Sequence, residues 1–276
     1  MATGKEIPPP NKNKTNTKAA TFSVLADKMA AFLYPINKIF SNLNSFSANF
    51  GKMNTLIQTA DGSNTLYNET IGEHYHSKHG AVQESKHVFI DAGLKYAEEK
   101  FSGTPLSILE IGFGTGLNFL FTAAYAAEKN LDIDYTGIEA YPLSQEQLSS
   151  TGYDQYVPVS VWESLSSQYE AALKAPARLN PSLQLFIPHI QLENFKDTKS
   201  YDLVYFDAFS VQHQPEMWSD EIIGHVCSFL KPGGIFVTYA ITGKLKRALK
   251  SHGLQIQKLP GAPGKREMLR AVKNED

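Results

Sequence analysis

"ILEIGFGTG", residues 108–116, is the stretch on which the fold turns: an apolar, strand-like run broken by one carboxylate, Glu110, and closed by three glycines in five positions. Glycines there let the backbone come close to a ligand at a strand-to-helix turn. A dinucleotide fingerprint needs G-x-G-x-x-G, and Leu117 stands where its third glycine should be. The phosphate-cradling P-loop needs a following G-K-[ST], which is also missing. What remains is a G-x-G-x-G loop of Gly112, Gly114 and Gly116 behind a carboxylate. That carboxylate would repel a pyrophosphate and suits a ligand bringing positive charge or hydrogen-bond donors.

Outward from this loop, apolar strands alternate with helices. The strand candidates are 106–111, 134–139, 183–188, 201–207, 234–240, 254–258 and 267–272; helical stretches fall at 117–128, 143–150, 160–174, 219–230 and 243–252. Upstream, Asp61-Gly62 marks a hairpin, and Val82, Val88, Phe89, Ala92 and Tyr96 have the spacing of an amphipathic helix over 81–100. The pattern predicts an α/β domain, residues 53–276, built on a mostly parallel seven-stranded sheet with helices on both faces and an N-terminal hairpin and helix added.

In such a sheet the ligand lies beyond the carboxyl ends of the strands, where the glycine loop sits. Glu139 ends the next strand, in "YTGIEAYPL", where an acidic side chain can bridge the two hydroxyls of a ribose. Together the two features favour S-adenosylmethionine over NAD; a tight turn with no ligand is the alternative.

Composition narrows the class. The 276 residues are 42% hydrophobic and 11% aromatic, enough for a large core, and the single cysteine, Cys227, excludes a disulfide framework or a CxxC pair. Neither a secretory signal nor a membrane span is expected, which implies a cytoplasmic protein. Residues 1–52 hold seven lysines against Glu6 and Asp27 and read as a disordered basic extension, with a short helix over 23–40 interrupted before Pro35.

Five segments carry a resemblance: "EIGFGTGLNFL" (110–120), "IEAYPL" (138–143), "YFDAFSVQHQPEMWSDEI" (205–222), "LKPGGIFVTY" (230–239) and "PGAPGKREMLRA" (260–271). They resemble the methyltransferase domain of the bifunctional tRNA 5-methylaminomethyl-2-thiouridine biosynthesis proteins and its single-domain form, from about residue 54 to 272. The resemblance implies a class I S-adenosylmethionine-dependent methyltransferase, Rossmann-like, that N-methylates the 5-aminomethyl group of (2-thio)uridine at the tRNA wobble position. It places Glu110, Gly112, Phe113, Gly114, Gly116, Asn118 and Glu139 on the methyl-donor side. The family's flavin-dependent oxidase half has no counterpart, since no later G-x-G-x-x-G occurs, so no FAD is expected. Val211 and His213 stand where the family usually has a proline and a lysine, a departure on the substrate side.

The chemistry can be argued from the residues as well. Methyl transfer from a sulfonium is an in-line displacement, so the enzyme aligns a nucleophile and excludes water. A protonated amine cannot attack, and a carboxylate beside it can take the proton. Asp207, at the carboxyl end of "YDLVYFD", is the catalytic candidate, with capping of the following turn as the alternative; Asp202, at the other end of that strand, is expected to be structural. Tyr75, Phe209 and Trp218 are candidates for stacking on a base, although core packing is an equal reading for Trp218. "HYHSKHG" places His74, His76 and His79 together without an i, i+4 pair, so no metal is expected and a loop closing over the donor is the preferred reading.

A tRNA anticodon stem-loop needs cations. The chain outside residues 1–52 carries a net charge of −7, but residues 244–273 hold nine Lys and Arg against Glu267 alone. Lys246, Arg247, Lys265 and Arg266 within that run are the expected RNA contacts. No obligate protein partner is evident. Methylation of another amine-bearing substrate and a non-catalytic nucleoside-binding module are the competing readings.

Overall fold

The computed structural model describes Met1 and residues 54–275, so the expectations for residues 1–52 lie, Met1 apart, outside the described residues. The chain then forms the expected hairpin. β1 (Asn54–Gln58) pairs antiparallel with β2 (Asn64–Asn68), and β3 (Glu73–His74) extends this small sheet from β2. Asp61 shapes the turn by accepting hydrogen bonds from the Ser63 backbone N–H and from the hydroxyls of Thr59 and Ser63.

The expected helix over 81–100, α1, runs as an α-helix over Ala81–Ser85, a π-helix over Lys86–Leu94 and an α-helix over Lys95–Lys100. Its wide middle turn lies against the main sheet at Gly93, where a Cβ would sit 3.0 Å from Val237 and 3.1 Å from the Tyr205 ring. Arg270 donates from Nη1 to the Ala92 carbonyl in that turn at 2.9 Å. A helical repeat of apolar residues does not reveal such a bulge, because it depends on what the sheet presents opposite.

β4 (Leu106–Ile111) leads into the glycine loop, and all six of its residues are buried, as a central parallel strand requires. α2 (Leu117–Lys129) follows, then β5 (Ile133–Ile138), α3 (Gln145–Ser150), α4 (Val159–Ala172), β6 (Ala177–Asn180) and β7 (Leu183–Phe186). The second half supplies β8 (Tyr201–Phe206), α5 (Asp220–Ser228), β9 (Leu230–Thr238), α6 (Gly243–Ser251), β10 (Leu254–Pro260) and β11 (Glu267–Lys273). The sheet order is β10-β11-β9-β8-β4-β5-β7-β6. The five central strands, β9 to β7 in that order, are parallel; β11, β10 and β6 run antiparallel to their neighbours.

All seven expected strands are therefore present, with an eighth, β6, at the edge. Its four residues, "ARLN", are too few and too polar to give a strand signal, and pairing with β7 makes them one. Two apolar layers cover the sheet: one contributed by α1, α2 and α4, the other by α5 and α6. Each fully buried Leu, Ile or Phe in them contributes about 1.5–3 kcal/mol. The chain moves from β4 outward through β5 to β7, then crosses back to β8 on the other side of β4. That reversal opens a crevice at the carboxyl ends of β4 and β8. Among the described residues no helix is long and apolar enough to cross a membrane.

Candidate active site

Three strand ends build the floor of the crevice. The N–H groups of Gly112 and Phe113 both donate to the Ile138 carbonyl at 3.1 Å, and the Asp207 N–H donates to the Ile111 carbonyl at 3.0 Å, which locks β4, β5 and β8 at this level. Gly112 has φ 86°, and a Cβ there would lie 2.7 Å from the Asp207 carbonyl oxygen, so only glycine fits. Gly114, at φ 53°, lies beneath Tyr75, whose ring a Cβ would approach to 3.0 Å. The loop is bare backbone facing a cavity of about 610 Å³.

Of the expected donor-side residues, Gly112, Gly114 and Glu139 line this cavity. Glu139 accepts from the Gly114 N–H at 2.8 Å on Oε2 and from the Tyr141 N–H at 2.9 Å on Oε1, and burial raises its carboxyl above the ordinary range.

The other residues expected on the donor side do not line the cavity. Glu110 does not face the cavity: it is fully buried, accepting from Asn118 at 2.8 Å and from the Tyr135 hydroxyl at 2.7 Å. Phe113 turns into the core against Phe119 and Tyr169. Gly116 caps the start of α2 at φ 73° and packs under the Phe113 ring. Asn118, 3% exposed in the first turn of α2, reaches Asp207 rather than the cavity.

Asp207 lines the cavity just beyond β8, with Oδ2 accepting from Asn118 at 2.8 Å. Burial pushes its carboxyl up to about 7, with Glu84 adding to the rise and Asn118 and Lys265 opposing it. It caps no helix: α5 is capped by Ser219, whose side chain accepts from the Ile222 N–H. Tyr75 and Phe209 both line the cavity and meet edge to face, centroids 5.1 Å apart. Trp218 does not join them. It is 3% exposed, packs on Phe206 and Tyr239, and donates from Nε1 to the Phe209 carbonyl at 2.8 Å, so it supports the loop from behind.

Of the four expected RNA contacts, only Lys265 enters the cavity; its Nζ lies 2.6 Å from Glu84 Oε1 and 3.7 Å from the Tyr239 ring centroid. Arg266 and Arg247 are exposed and Lys246 half-buried, all away from the cavity lining. His74 and His76 line the cavity, and burial lowers His76 to about 4, while His79 packs under Gly264. No cluster able to hold a metal is found among the described residues.

Sequence reasoning missed Glu73 and Glu84, and singled out His213 only as a departure on the substrate side. Glu73 accepts from the Ser210 N–H at 2.7 Å and faces His213 at 3.4 Å; Glu84 accepts from the Ser77 N–H at 2.7 Å. These acids face Asp207 and Lys265 across long chain separations, for which no local signal exists.

The architecture is that of the class I S-adenosylmethionine-dependent methyltransferases. Residues 159–274 match a family described as S-adenosyl-L-methionine-dependent methyltransferase. The chain is related to proteins called tRNA 5-methylaminomethyl-2-thiouridine biosynthesis bifunctional protein MnmC: 32% identity over 219 residues with that of Paracidovorax citrulli, covering 75% of this chain and 34% of the relative. With that of Acinetobacter baylyi it shares 29% over 229 residues, 78% of this chain and 37% of the relative. The chain thus spans about a third of the length of these relatives. Among solved structures, MnmC2 from Aquifex aeolicus superposes with a TM-score of 0.62 at 21% identity, over 92% of this chain and 84% of that one, a likeness of fold. The resemblance expected from the sequence is borne out.

Proposed function

We propose that the chain transfers a methyl group from S-adenosylmethionine to the amine of 5-aminomethyl-(2-thio)uridine at the wobble position of tRNA, in the cytoplasm. The observation that carries this reading is Asp207: a recessed carboxylate at the carboxyl end of β8, on the cavity that the bare glycine loop and Glu139 share. Bound there, the donor supplies a sulfonium-activated methyl carbon. The backbone of Gly112 and Gly114 would pass close to its methionine portion, and Glu139 would accept from its ribose hydroxyls.

The substrate amine arrives protonated. Glu73, Glu84, Glu139 and Asp207 make the cavity acidic, with Lys265 as a counter-charge, and so favour a cation. Asp207, with its carboxyl raised to about 7 by burial, is poised to take the ammonium proton near neutral pH. The freed nitrogen lone pair attacks the methyl carbon as the carbon–sulfur bond breaks, and the bonding electrons leave with sulfur. Tyr75 and Phe209 offer apolar faces to an unstacked base.

Relatedness to the bifunctional proteins supports the choice of tRNA. The test is incubation with S-adenosylmethionine and tRNA carrying unmethylated aminomethyl groups, followed by mass spectrometry of the nucleosides. A gain of one methyl on the wobble nucleoside is expected; donor binding without any methylated nucleoside would overturn the reading.

A further inference from the structure

Asn118 lies between two carboxylates, and every polar hydrogen and acceptor of its amide has a partner. Nδ2 donates to Glu110 Oε1 at 2.8 Å and to Asp207 Oδ2 at 2.8 Å; Oδ1 accepts from the Ser85 hydroxyl at 2.5 Å. The two carboxylates fix which way the amide points, since a flipped amide would set its oxygen against both, and the Ser85 hydroxyl then donates to the oxygen. Glu110 is held in turn by the Tyr135 hydroxyl at 2.7 Å. The amide, Ser85 and Glu110 are all buried. Among the described residues Asp207 Oδ1 has no hydrogen-bond partner, and it is the oxygen left to the cavity.

We infer that Asn118 is the positioning residue for Asp207: by donating to Oδ2 from a fixed amide, it orients Oδ1 toward the substrate amine and sets the proton affinity of that carboxyl. This rests on the reading of Asp207 as the group that takes the amine's proton. Glu110 anchors the amide from behind and does not line the cavity. The conjunction of Glu110 in β4, Asn118 in α2 and Asp207 after β8 is the function of the buried carboxylate that the sequence placed on the donor. Other titratable groups face Asp207: Glu73 of β3, Glu84 of α1, Tyr239 after β9 and Lys265 after β10, with Glu110 and Tyr135 behind. Glu73 and Glu84 disfavour its charged form, Lys265 favours it, and Asn118 is its hydrogen-bond donor.

The test uses the full chain labelled with [13Cγ]aspartate, with the Asp207 signal assigned by its loss in Asp207→Asn. In Asn118→Leu, which keeps the volume but not the donor, the Asp207 titration midpoint should rise by about one pH unit, the loss of one hydrogen bond to a charged group. The acid limb of the pH–rate profile for methyl transfer should move up by the same amount, a roughly fivefold loss at pH 7 that approaches about tenfold at lower pH, with the S-adenosylmethionine Kd within about twofold of wild type. If Asn118→Leu does not fold, Asn118→Ala, which also lacks the donor and adds no charge, takes its place with the same expectation. An unmoved midpoint in a folded variant overturns the role of Asn118. A midpoint that rises while the rate profile stays put supports that role and overturns Asp207 as the proton acceptor.

Discussion

At the residue scale, one buried carboxyl, that of Asp207, carries the proposed chemistry. Asp207 ordinarily titrates near 3.8 and is raised to about 7 by burial, so the folded protein binds this proton more tightly than the unfolded chain does. Its contribution to stability is therefore present below the unfolded value and is lost as pH rises through 7. Asp207→Asn removes that penalty: the variant should melt at a higher temperature than wild type at pH 8, with the gap closing below pH 4 in calorimetry. The same change removes the proposed proton acceptor, so turnover on aminomethylated tRNA should fall about a hundredfold with donor affinity nearly unchanged. Near-wild-type turnover in the folded variant would sink the assignment. The candidates Asp207, Glu139 and the first two glycines were legible because each is tied to the end of a strand, and strand ends follow from local pattern. The burial of Glu110 behind the cavity was not legible, because a residue inside a strand points to one face or the other, and only the packed sheet says which.

At the scale of elements, opposite ends of β8 do opposite work. Asp207 stands at its carboxyl end in the cavity, whereas Asp202, near its start, is buried and fully bonded. Asp202 Oδ2 accepts from the Ser107 N–H at 2.8 Å and from its hydroxyl at 2.7 Å, and Lys231 Nζ lies 2.8 Å from both carboxylate oxygens. These bonds tie β8 to the starts of β4 and β9, at the end of the sheet remote from the site. Asp202→Ala strands the buried Ser107 donors and should cost about 2–3 kcal/mol, seen as a loss of several degrees in melting temperature. Methyl transfer measured well below the melting point should be unchanged, and a selective loss of turnover at full stability would contradict this division. α1 shows the limit of pattern at this scale: its apolar repeat foretold a helix, while the π turn answers to Gly93 and Arg270, one facing the sheet and the other arriving from β11.

At the scale of the whole molecule, the basic run over 244–273 is dispersed by folding. Lys265 enters the cavity, Arg270 stacks on Tyr96 at 3.6 Å, and Lys273 donates to the carbonyls of Cys227 and Leu230. Lys244, Arg247 and Lys250 of α6 remain exposed, with Lys246 half-buried beside them. If this helix is the RNA contact, Lys246→Glu with Arg247→Glu should weaken tRNA binding at least about tenfold at low salt and flatten its salt dependence. Affinity for S-adenosylmethionine should not change. Unaltered tRNA affinity in filter-binding or fluorescence titration would remove α6 from the interface.

The sequence by itself determined the alternation of strands and helices, the loop of three glycines after β4, and the carboxylates that close β5 and β8. These follow from interactions within a few residues: hydrophobic period, turn chemistry and the freedom of glycine at positive φ. The tertiary structure alone decided which carboxylate faces the cavity and which is sealed behind it. It alone brought Glu73 and Glu84 to Asp207, and it placed one amide, Asn118, between Glu110 eight residues away and Asp207 eighty-nine residues away. No local signal encodes such a meeting, because it depends on the sheet order that brings β4 and β8 side by side.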